Sequence, residues 1–461
     1  MSDEIKPSAE ARGPPREGSL DAPFRHPIAW RDDDYYDLEK VEAEMRRQFD
    51  VCHTCRRCFN LCDAFPRLFD AIDESPTGEL DSVPTEALAK VDEACTLCDM
   101  CFLTKCPYVP PHPFDIDFPH LILRYRAAKR RAGEKQFIRE QLGATDRNGK
   151  LAKPVAGLAN WVTARRNTPL RKLLEAIAKI DAAAELPQYH SKTATDRLKS
   201  PLAPNPEGPA FGRRKVALYA TCFVDYNEPD TAVAAARVLA LQGVEVKLVY
   251  PECCGMPQLE AGDLKAVAGR AERVAKVFSP LIAEGYDVVA LTASCGLMMK
   301  FEWPLMEPEN SAVAALSAAT KDICEYVVEL SRTFGLAEGL TPVEGGISLH
   351  HACHARAQNM GAKSAEMLRL IPDTRVELIE RCSGHGGTFG VMKETHHVAR
   401  KVGRPTARQI AAKGTETLCS DCPLACKHLG QLLIAETRPE AHAAPRQAHP
   451  IEIFARAYGA F

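Results

Sequence analysis

The spacing of apolar residues changes near residue 211 and predicts two kinds of structure. Before that point, residues 32–50 and 118–133 carry apolar side chains at helical spacing. After it, short apolar runs alternate with alanine-rich helical stretches, so residues 215–300 are predicted to form strand, helix, strand, helix, strand. The same order is predicted again in residues 346–426. The pattern indicates an α+β multidomain chain in which a helical region precedes two α/β units.

The two α/β units are an internal repeat. Corresponding positions lie 131, 129 and 127 residues apart in the pairs Cys222 and Cys353, Cys253 and Cys382, and Thr292 and Cys419. Alternating strands and helices predict a small parallel sheet in each repeat, and such sheets bind ligands beyond the carboxyl ends of their strands. Cysteines occupy those ends, so we expect one ligand site per repeat.

Composition and charge limit the functions that this chain can have. The 461 residues include 58 basic and 61 acidic ones, a net charge of -3, so the chain lacks the basic excess of nucleic-acid-binding proteins. The first twenty residues are charged and rich in proline and glycine, and no apolar run reaches the roughly 18 residues of a membrane span. We expect a disordered N-terminal tail and a cytoplasmic protein. In that reducing compartment, 18 cysteines favour metal ligation over disulfides.

Two cysteine runs in the helical region have the spacing of bacterial ferredoxins. The first run places cysteines at 52, 55, 58 and 62, and the second at 95, 98, 101 and 106, just before Pro107. In this motif the fourth cysteine of each run ligates the other cluster. We therefore assign one [4Fe-4S] cluster to Cys52, Cys55, Cys58 and Cys106, and a second to Cys95, Cys98, Cys101 and Cys62.

Zinc is the alternative to clusters in this region. Zinc sites usually use two CxxC pairs separated by a longer loop, whereas here four cysteines fall within eleven residues. The spacing therefore favours iron-sulfur clusters. Arg56, Arg57 and Lys105 lie between the cysteines, where they either adjust cluster charge or are ordinary solvated residues.

Each α/β repeat carries four cysteines at predicted strand ends. We expect one site to be formed by Cys222, Cys253, Cys254 and Cys295, and the other by Cys353, Cys382, Cys419 and Cys422. Glycines at positions 255, 384, 386 and 387 would let the backbone approach a bulky cluster closely. Neither site contains the G-x-G-x-x-G pattern of a nucleotide fold.

With these cysteines in place, the repeats resemble the paired cysteine-rich CCG domains of the heterodisulfide reductase family. That family includes subunits of anaerobic glycerol-3-phosphate dehydrogenase and glycolate oxidase, and the resemblance covers the chain from about residue 45. The family motif has five cysteines per domain: one alone, an adjacent pair and a final C-x2-C. This sequence departs once in each copy, because Thr292 replaces a member of the final pair and Ser383 a member of the adjacent pair.

The replacements at Thr292 and Ser383 affect which type of cluster each domain can hold. In the family, five thiolates can hold an unusual non-cubane cluster pair that cleaves disulfides, whereas four thiolates suit one ordinary [4Fe-4S] cube. We expect up to one cube in each CCG domain, serving electron transfer. The alternative is an empty domain, because the loss of one ligand can abolish a site.

Several residues near these motifs have open roles. Cys324 is expected to be a buried helix thiol, and Cys426 is either a spare ligand or a core residue. Four histidines fall near the second CCG site: His350, His351, His354 and His385. They either supply a ligand or a proton, or are ordinary polar loop residues.

The resemblance implies an iron-sulfur electron-transfer subunit of an oxidoreductase. Its expected partners are a flavin dehydrogenase or a rubrerythrin-like reductase, and an acceptor such as a quinone. No catalytic residue is assigned. The alternatives are an autonomous reductase of disulfides or small substrates acting at a CCG site, and a zinc-stabilised scaffold.

The predicted organisation has five parts. A tail spans residues 1–30, the ferredoxin domain 31–130, a helical linker 131–210, and the two CCG domains 211–340 and 341–461. Within the linker, residues 157–180 are predicted to form a helix with a basic side and an apolar side that includes Trp161. Such a helix either lies on a membrane surface or a partner, giving a peripheral location at the inner face of the membrane, or packs between domains.

Overall fold

The computed structural model describes residues 22–436 and 445–461. Helices occupy the N-terminal part, and two four-stranded sheets follow in sequence order. All strand pairs in both sheets are parallel. The predicted architecture, a helical region followed by two α/β repeats with small parallel sheets, is confirmed.

Four helices frame the ferredoxin-like cysteine runs. The Asp37 side chain accepts a hydrogen bond from the backbone N–H of Lys40 and caps the first helix. Phe49, Phe65 and Phe118 pack in the core between the helices. The helices are α1 (Leu38–Cys55), α2 (Ala64–Asp73), α3 (Thr85–Ala94) and α4 (Phe118–Arg131).

Part of the predicted tail packs against the rest of the protein. Residues 1–21 lie outside the described residues, but residues 22–30 pack against the rest of the chain. Arg25 forms ion pairs with Asp99, Asp117 and Glu302, and Ile28 is buried. The tail boundary at residue 30 is therefore corrected, because a guanidinium surrounded by three carboxylates anchors this segment.

Short helices make up the predicted linker. They are α5 (Phe137–Gly143), α6 (Thr145–Ala152), α7 (Ala156–Thr163), α8 (Thr168–Ala178) and α9 (Ala194–Arg197). The expectation of one helix over 157–180 is corrected to the pair α7 and α8. Pro169 lies in the first turn of α8, and proline there starts a helix but cannot continue a preceding one.

The first sheet has the strand order β2-β1-β3-β4. Its strands are β1 (Lys215–Tyr219), β2 (Glu245–Val249), β3 (Asp287–Ala290) and β4 (Thr320–Asp322). Its helices are α10 (Cys222–Tyr226), α11 (Pro229–Leu241), α12 (Met256–Glu260), α13 (Leu264–Ala283), α14 (Ala293–Leu297), α15 (Trp303–Met306), α16 (Ser311–Ala319) and α17 (Ile323–Phe334). The long helix α13 is capped by Asp263 and buries a face that includes Val267, Val274 and Phe278.

The second sheet repeats that order as β6-β5-β7-β8. Its strands are β5 (Ile347–His350), β6 (Val376–Ile379), β7 (Thr417–Ser420) and β8 (Arg446–Ala448). Its helices are α18 (Cys353–Ala357), α19 (Lys363–Leu368), α20 (His396–Lys413), α21 (Pro423–Glu436) and α22 (Pro450–Ala457).

Two large apolar cores join these parts. One is shared by the N-terminal helices and one face of the first sheet, and the other by the opposite face of that sheet and the second repeat. The cysteine-bearing ends of both sheets therefore lie in fixed positions relative to the ferredoxin-like region. Over the described residues, no helix is both long and apolar enough to cross a membrane.

Candidate iron-sulfur sites

The ferredoxin-like cysteines lie in two groups. Burial raises the pKa of Cys52, and the neighbouring thiols of Cys106, Cys58 and Cys55 raise it further. Cys106 ends a single π-helical turn that begins at Cys101, and this turn brings it back to the first run.

The second group forms in the same way. Burial raises the pKa of Cys101, as do the thiols of Cys98, Cys95 and Cys62. Cys62 follows α1 in the chain but has Cys98 and Cys95 as neighbours. Each group thus contains three cysteines of one run and the last cysteine of the other.

Backbone amides point at several of these sulfurs. Burial raises the pKa of Cys98 to about 12, while the backbone N–H of Met100 opposes that rise. The N–H groups of Ala64 and Tyr108 do the same for Cys62 and Cys106. Each donor lies two residues after its cysteine, and N–H donors of this kind stabilise thiolates and adjust the potential of a bound cluster.

All four predicted cysteines of the first CCG site converge. Cys222 Sγ lies 3.5 Å from Cys253 Sγ, and Cys295 Sγ lies 3.2 Å from Cys254 Sγ. Hydrogen bonds from Cys222 and Cys254 lower the pKa of Cys253. The left-handed conformation of Gly255, with φ of 89°, turns the chain after the adjacent pair. These thiols follow β1, β2 and β3, as expected for the carboxyl edge of a parallel sheet.

A part of the linker completes the first site, although no local pattern in the sequence indicates it. Asp146, at the start of α6, accepts hydrogen bonds from the Cys253 backbone N–H at 2.9 Å and from the Arg270 guanidinium at 3.0 Å. The Tyr250 hydroxyl also donates to Asp146. The Thr145 side chain approaches the thiols of Cys222 and Cys253. Helix α6 therefore covers the site.

The second CCG site brings three of its four predicted cysteines together. Burial raises the pKa of Cys353, and the thiols of Cys98, Cys382 and Cys422 raise it further. The Thr406 hydroxyl donates to the Cys382 carbonyl at 2.6 Å, which ties this loop to α20. Cys382 is exposed to solvent, whereas Cys253, Cys254 and Cys295 are buried.

Cys419 lies apart from that group. It is fully buried in β7, where it pairs in register with Leu349 of β5. Burial raises the pKa of Cys419, and the neighbouring Cys426, Asp421 and Glu452 raise it further. The expectation that Cys419 joins the second site is corrected, because a side chain inside a strand points into a sheet face and not beyond the strand end.

The glycines at 384, 386 and 387 lie against other segments of the protein. A Cβ at Gly384 would overlap the carbonyl oxygen of Ala399, and one at Gly386 would overlap the Thr96 side chain. A Cβ at Gly387 would meet the Glu260 carboxylate at 2.9 Å. These glycines bring the loop close to other segments of the protein.

Each of the four cysteine groups has a thiol that interacts with a thiol of the next group. Cys58 of the first ferredoxin-like group contributes to the raised pKa of Cys101 in the second. The thiols of Cys382 and Cys353 interact with Cys98. Cys295 of the first CCG site in turn contributes to the raised pKa of Cys422. The order is first ferredoxin-like group, second ferredoxin-like group, second CCG site, first CCG site.

The histidines near the second site make structural hydrogen bonds. His354 lies 2.9 Å from the Ser294 hydroxyl and 3.4 Å from the Leu97 carbonyl oxygen, so it links all three cysteine-bearing regions. His350 contacts the Ser420 hydroxyl and the Arg381 carbonyl oxygen. Burial lowers the pKa of His385 to about 3, with His428 and His396 nearby.

The two remaining cysteines lie in apolar surroundings. Cys324 is buried in α17, as expected. The Cys426 thiol donates to the carbonyl oxygen of Leu418 at 3.6 Å and packs in a core cluster of α20 and α21, which favours the core role over the ligand role. Among the described residues, no three His, Cys, Asp or Glu side chains are placed to hold a single metal ion.

Comparisons with known proteins find similarity in both α/β repeats. The cysteine-rich CCG domain family matches residues 216–300 and 347–428. A subunit of the anaerobic glycerol-3-phosphate dehydrogenase of Escherichia coli (strain K12) is 28% identical over 75% of this chain and 83% of its own length. Lactate utilization protein A of Bacillus pumilus is 30% identical over 38% of this chain and 75% of its own length.

A third relative is similar to about half of this chain. A subunit of the fumarate reductase (CoM/CoB) of Methanothermobacter marburgensis is 27% identical over 48% of this chain and 43% of its own length. Two CCG domains follow a helical region that carries two ferredoxin-type cysteine runs. This chain belongs to the family of iron-sulfur proteins with paired CCG cysteine-rich domains that is related to heterodisulfide reductase.

Proposed function

We propose that this protein is the electron-transfer subunit of an oxidoreductase and relays electrons between a partner dehydrogenase or reductase and an acceptor such as a quinone. The observation that supports the proposal is that a thiol of each cysteine group interacts electrostatically with a thiol of the next group. The interacting pairs are Cys58 and Cys101, Cys98 and Cys353, and Cys422 and Cys295. A chain of neighbouring redox centres is what single-electron transfer requires.

The donor set fits iron-sulfur clusters. The ferredoxin-like groups are Cys52, Cys55, Cys58, Cys106 and Cys62, Cys95, Cys98, Cys101, and the CCG groups are Cys222, Cys253, Cys254, Cys295 and Cys353, Cys382, Cys422. Thiolates are the usual ligands of such clusters, and a bound cluster supplies one-electron storage. Buried thiols that raise one another's pKa ionise unfavourably alone, so a cationic iron centre would stabilise them.

The partner is another protein that performs two-electron chemistry. The relatives are named as subunits of glycerol-3-phosphate dehydrogenase and fumarate reductase. By analogy, the partner of this chain is a flavin dehydrogenase, or a rubrerythrin-like reductase, which exchanges electrons with one end of the relay.

The alternative is an autonomous reductase at a CCG site. The exposure of residue Cys382 favours it, because this part of the second site lies at the protein surface. Turnover by the pure protein distinguishes this alternative from a relay protein.

We further propose that the linker docks on the inner face of an anionic membrane. Six large apolar side chains are exposed on α6 to α8: Leu151, Val155, Leu158, Trp161, Leu173 and Ile177. Exposed basic residues accompany them: Arg165, Arg166, Lys172 and Lys179. An apolar surface with basic residues around it favours anionic lipid headgroups.

Vesicle binding tests this surface. The full chain should sediment with vesicles containing anionic lipid more than with neutral vesicles, and Trp161→Gln should weaken that binding severalfold. Phe137→Gln is the matched control, because Phe137 is exposed to a similar degree outside the surface. Equal binding by both variants would contradict the docking proposal.

Electron transfer by the isolated chain tests the main proposal. The anaerobically reconstituted full chain should accept electrons from a one-electron dye and pass them to a second dye, but should reduce no disulfide or hydroxy acid. Cys98→Ala should slow reduction of the CCG centres, whereas Cys324→Ala, at a buried thiol outside the series, should not. Robust substrate reduction by the pure chain would instead place the active centre here.

A further inference from the structure

The second CCG site lacks one thiol that the first site has. The repeat places Cys353, Cys382 and Cys422 where the first domain has Cys222, Cys253 and Cys295. The remaining thiol of the first site, Cys254, lies 3.2 Å from Cys295 and belongs to its convergent group. The corresponding residue of the second domain is Ser383.

No other cysteine of the second domain replaces that thiol. Cys419 is turned into the core, next to Cys426. The Cys426 thiol donates to backbone oxygens of Leu418 and Ala448, at 3.6 and 3.9 Å. Thr292 occupies the position of Cys419 in the first domain, so neither repeat uses that position for the convergent group.

The second site also differs in access and charge. Cys382 and its neighbours Glu380 and Arg381 are exposed, whereas three of the four thiols of the first site are buried. The protein packed around the Cys382 sulfur raises the pKa of that thiol, while the Gly384 backbone N–H and the nearby Arg356 guanidinium act to lower it. Nearby, the buried Nε2 of His351 has no hydrogen-bond partner among the described residues, while its Nδ1 faces Glu380 at 3.4 Å.

We propose that the second CCG site holds its cluster through only three thiolates, Cys353, Cys382 and Cys422, and leaves one iron for a small anionic donor from solution. The inference rests on the proposed function, because it requires that the site bind a cluster. Three sulfur ligands leave the fourth corner of a cube without a protein thiolate. The Arg356 guanidinium, which also lies 3.8 Å from the Glu380 carboxylate, is the positive charge near that corner, and the exposed loop gives an anion access to it.

The position of this site in the series gives the open iron a role. Cys98 of the second ferredoxin-like group is a neighbour of both Cys353 and Cys382. The open site therefore receives electrons directly from the ferredoxin-like region, and the first CCG site, with four thiols, lies beyond it. This makes the second site the ligand-binding centre and the first site a closed electron carrier.

Cyanide, a small anion that binds iron, is the probe. Electron paramagnetic resonance of the reduced, reconstituted full chain should show cyanide perturbing one cluster signal and leaving the others unchanged. Ser383→Cys should keep the iron and abolish the response, because it supplies the fourth thiolate. Ser348→Cys is the matched control, since Ser348 is a buried serine in β5 of the same domain; it should respond as the unmodified chain does.

A second pair of variants keeps the test decisive if Ser383→Cys fails to fold. Cys419→Ala and its control Cys324→Ala, both at buried thiols, should retain full iron content and the cyanide response. Loss of iron in Cys419→Ala alone, or cluster signals that never respond to cyanide, would overturn the open site while leaving the relay intact. An absence of cluster signals in every form would instead reject the proposed function itself.

Discussion

The two CCG domains share one strand order but differ in how many thiols they bring together. In the first, four buried or half-buried thiols meet beneath the linker helix α6. In the second, three meet beside Cys98 and one of them, Cys382, is exposed. The repeats therefore have the same scaffold and different sites: a covered one suited to carrying electrons and an open one suited to binding a ligand.

The largest expected effect comes from removing the thiol that distinguishes the two domains. Cys254→Ala should cost about 4 of about 16 iron atoms in the reconstituted chain, because the first site is buried beneath α6 and admits no donor from solution to replace the lost thiolate. Ser383→Ala, at the matching position, should leave iron content and the cluster signals nearly unchanged. If Ser383→Ala lost as much iron as Cys254→Ala, the serine oxygen would be a ligand.

The next comparison is between Cys419 and Cys422, the final cysteine pair of the second domain. Cys422→Ala should remove the iron of that site only. Cys419→Ala should keep it and lower the free energy of unfolding by about 1 kcal/mol, as the loss of one small buried side chain does. Iron analysis and denaturant melts measure both quantities, and equal iron loss in the two variants would return Cys419 to the ligand set.

The contacts of the two domains with the ferredoxin-like region should respond differently to acid. Burial alone would raise the pKa of Glu302, but His120 and Arg25 lower it to about 2. A lowered carboxyl pKa stabilises the fold above the unfolded value, near 4.5, and that stability is lost as pH falls towards 2.

The variant Glu302→Gln should therefore cost about 3 kcal/mol at pH 7 and remove the acid-dependent loss between those values. The second domain contacts the same region through His354 and the Leu97 carbonyl oxygen. Burial lowers the pKa of His354 from 6.5, so His354→Gln should remove a loss of stability that begins near pH 6.5, above the range that Glu302 sets. An unaltered acid transition in Glu302→Gln would contradict the importance of this ion pair.

The smallest expected effect concerns the cover of the first site. Asp146→Asn weakens the interactions with the Cys253 backbone N–H and Arg270, so it should lower stability by about 1–2 kcal/mol and shift only the spectrum of the first CCG cluster. Asp196→Asn is the control, because Asp196 is a carboxylate of the same linker that pairs with Lys153. A shift in the spectrum of the second CCG site would contradict the assignment.

Much of this arrangement is predictable from the sequence, because periodicity and cysteine spacing are local. The βαβ repeats follow from such signals, and so does the expected exchange of Cys62 and Cys106 between clusters. Strands β4 and β8 were missed because three residues carry too little periodicity. Asp146 was missed because its contact with Cys253 spans 107 residues of chain.

For Cys419, the cysteine motif and the strand geometry predict different positions of the side chain. It lies in the predicted C-x2-C, but also inside the strand Thr417–Ser420, where alternate side chains point to opposite faces. Leu418 packs with α20 and α21, and Cys419 packs on the other face with Ile347 and Leu349. Only Cys422, beyond the strand end, is free to reach the site. Strand alternation could have indicated this from the sequence.

The count of iron and sulfide, combined with a redox titration, tests the central claim most directly. If all four thiol groups hold cubes, the anaerobically reconstituted full chain should carry about 16 iron atoms and as many sulfides, and its paramagnetic signals should titrate as four interacting centres. About 8 iron atoms would restrict the clusters to the ferredoxin-like region and leave the CCG domains empty. Zinc in place of iron, without visible absorption, would contradict the relay altogether.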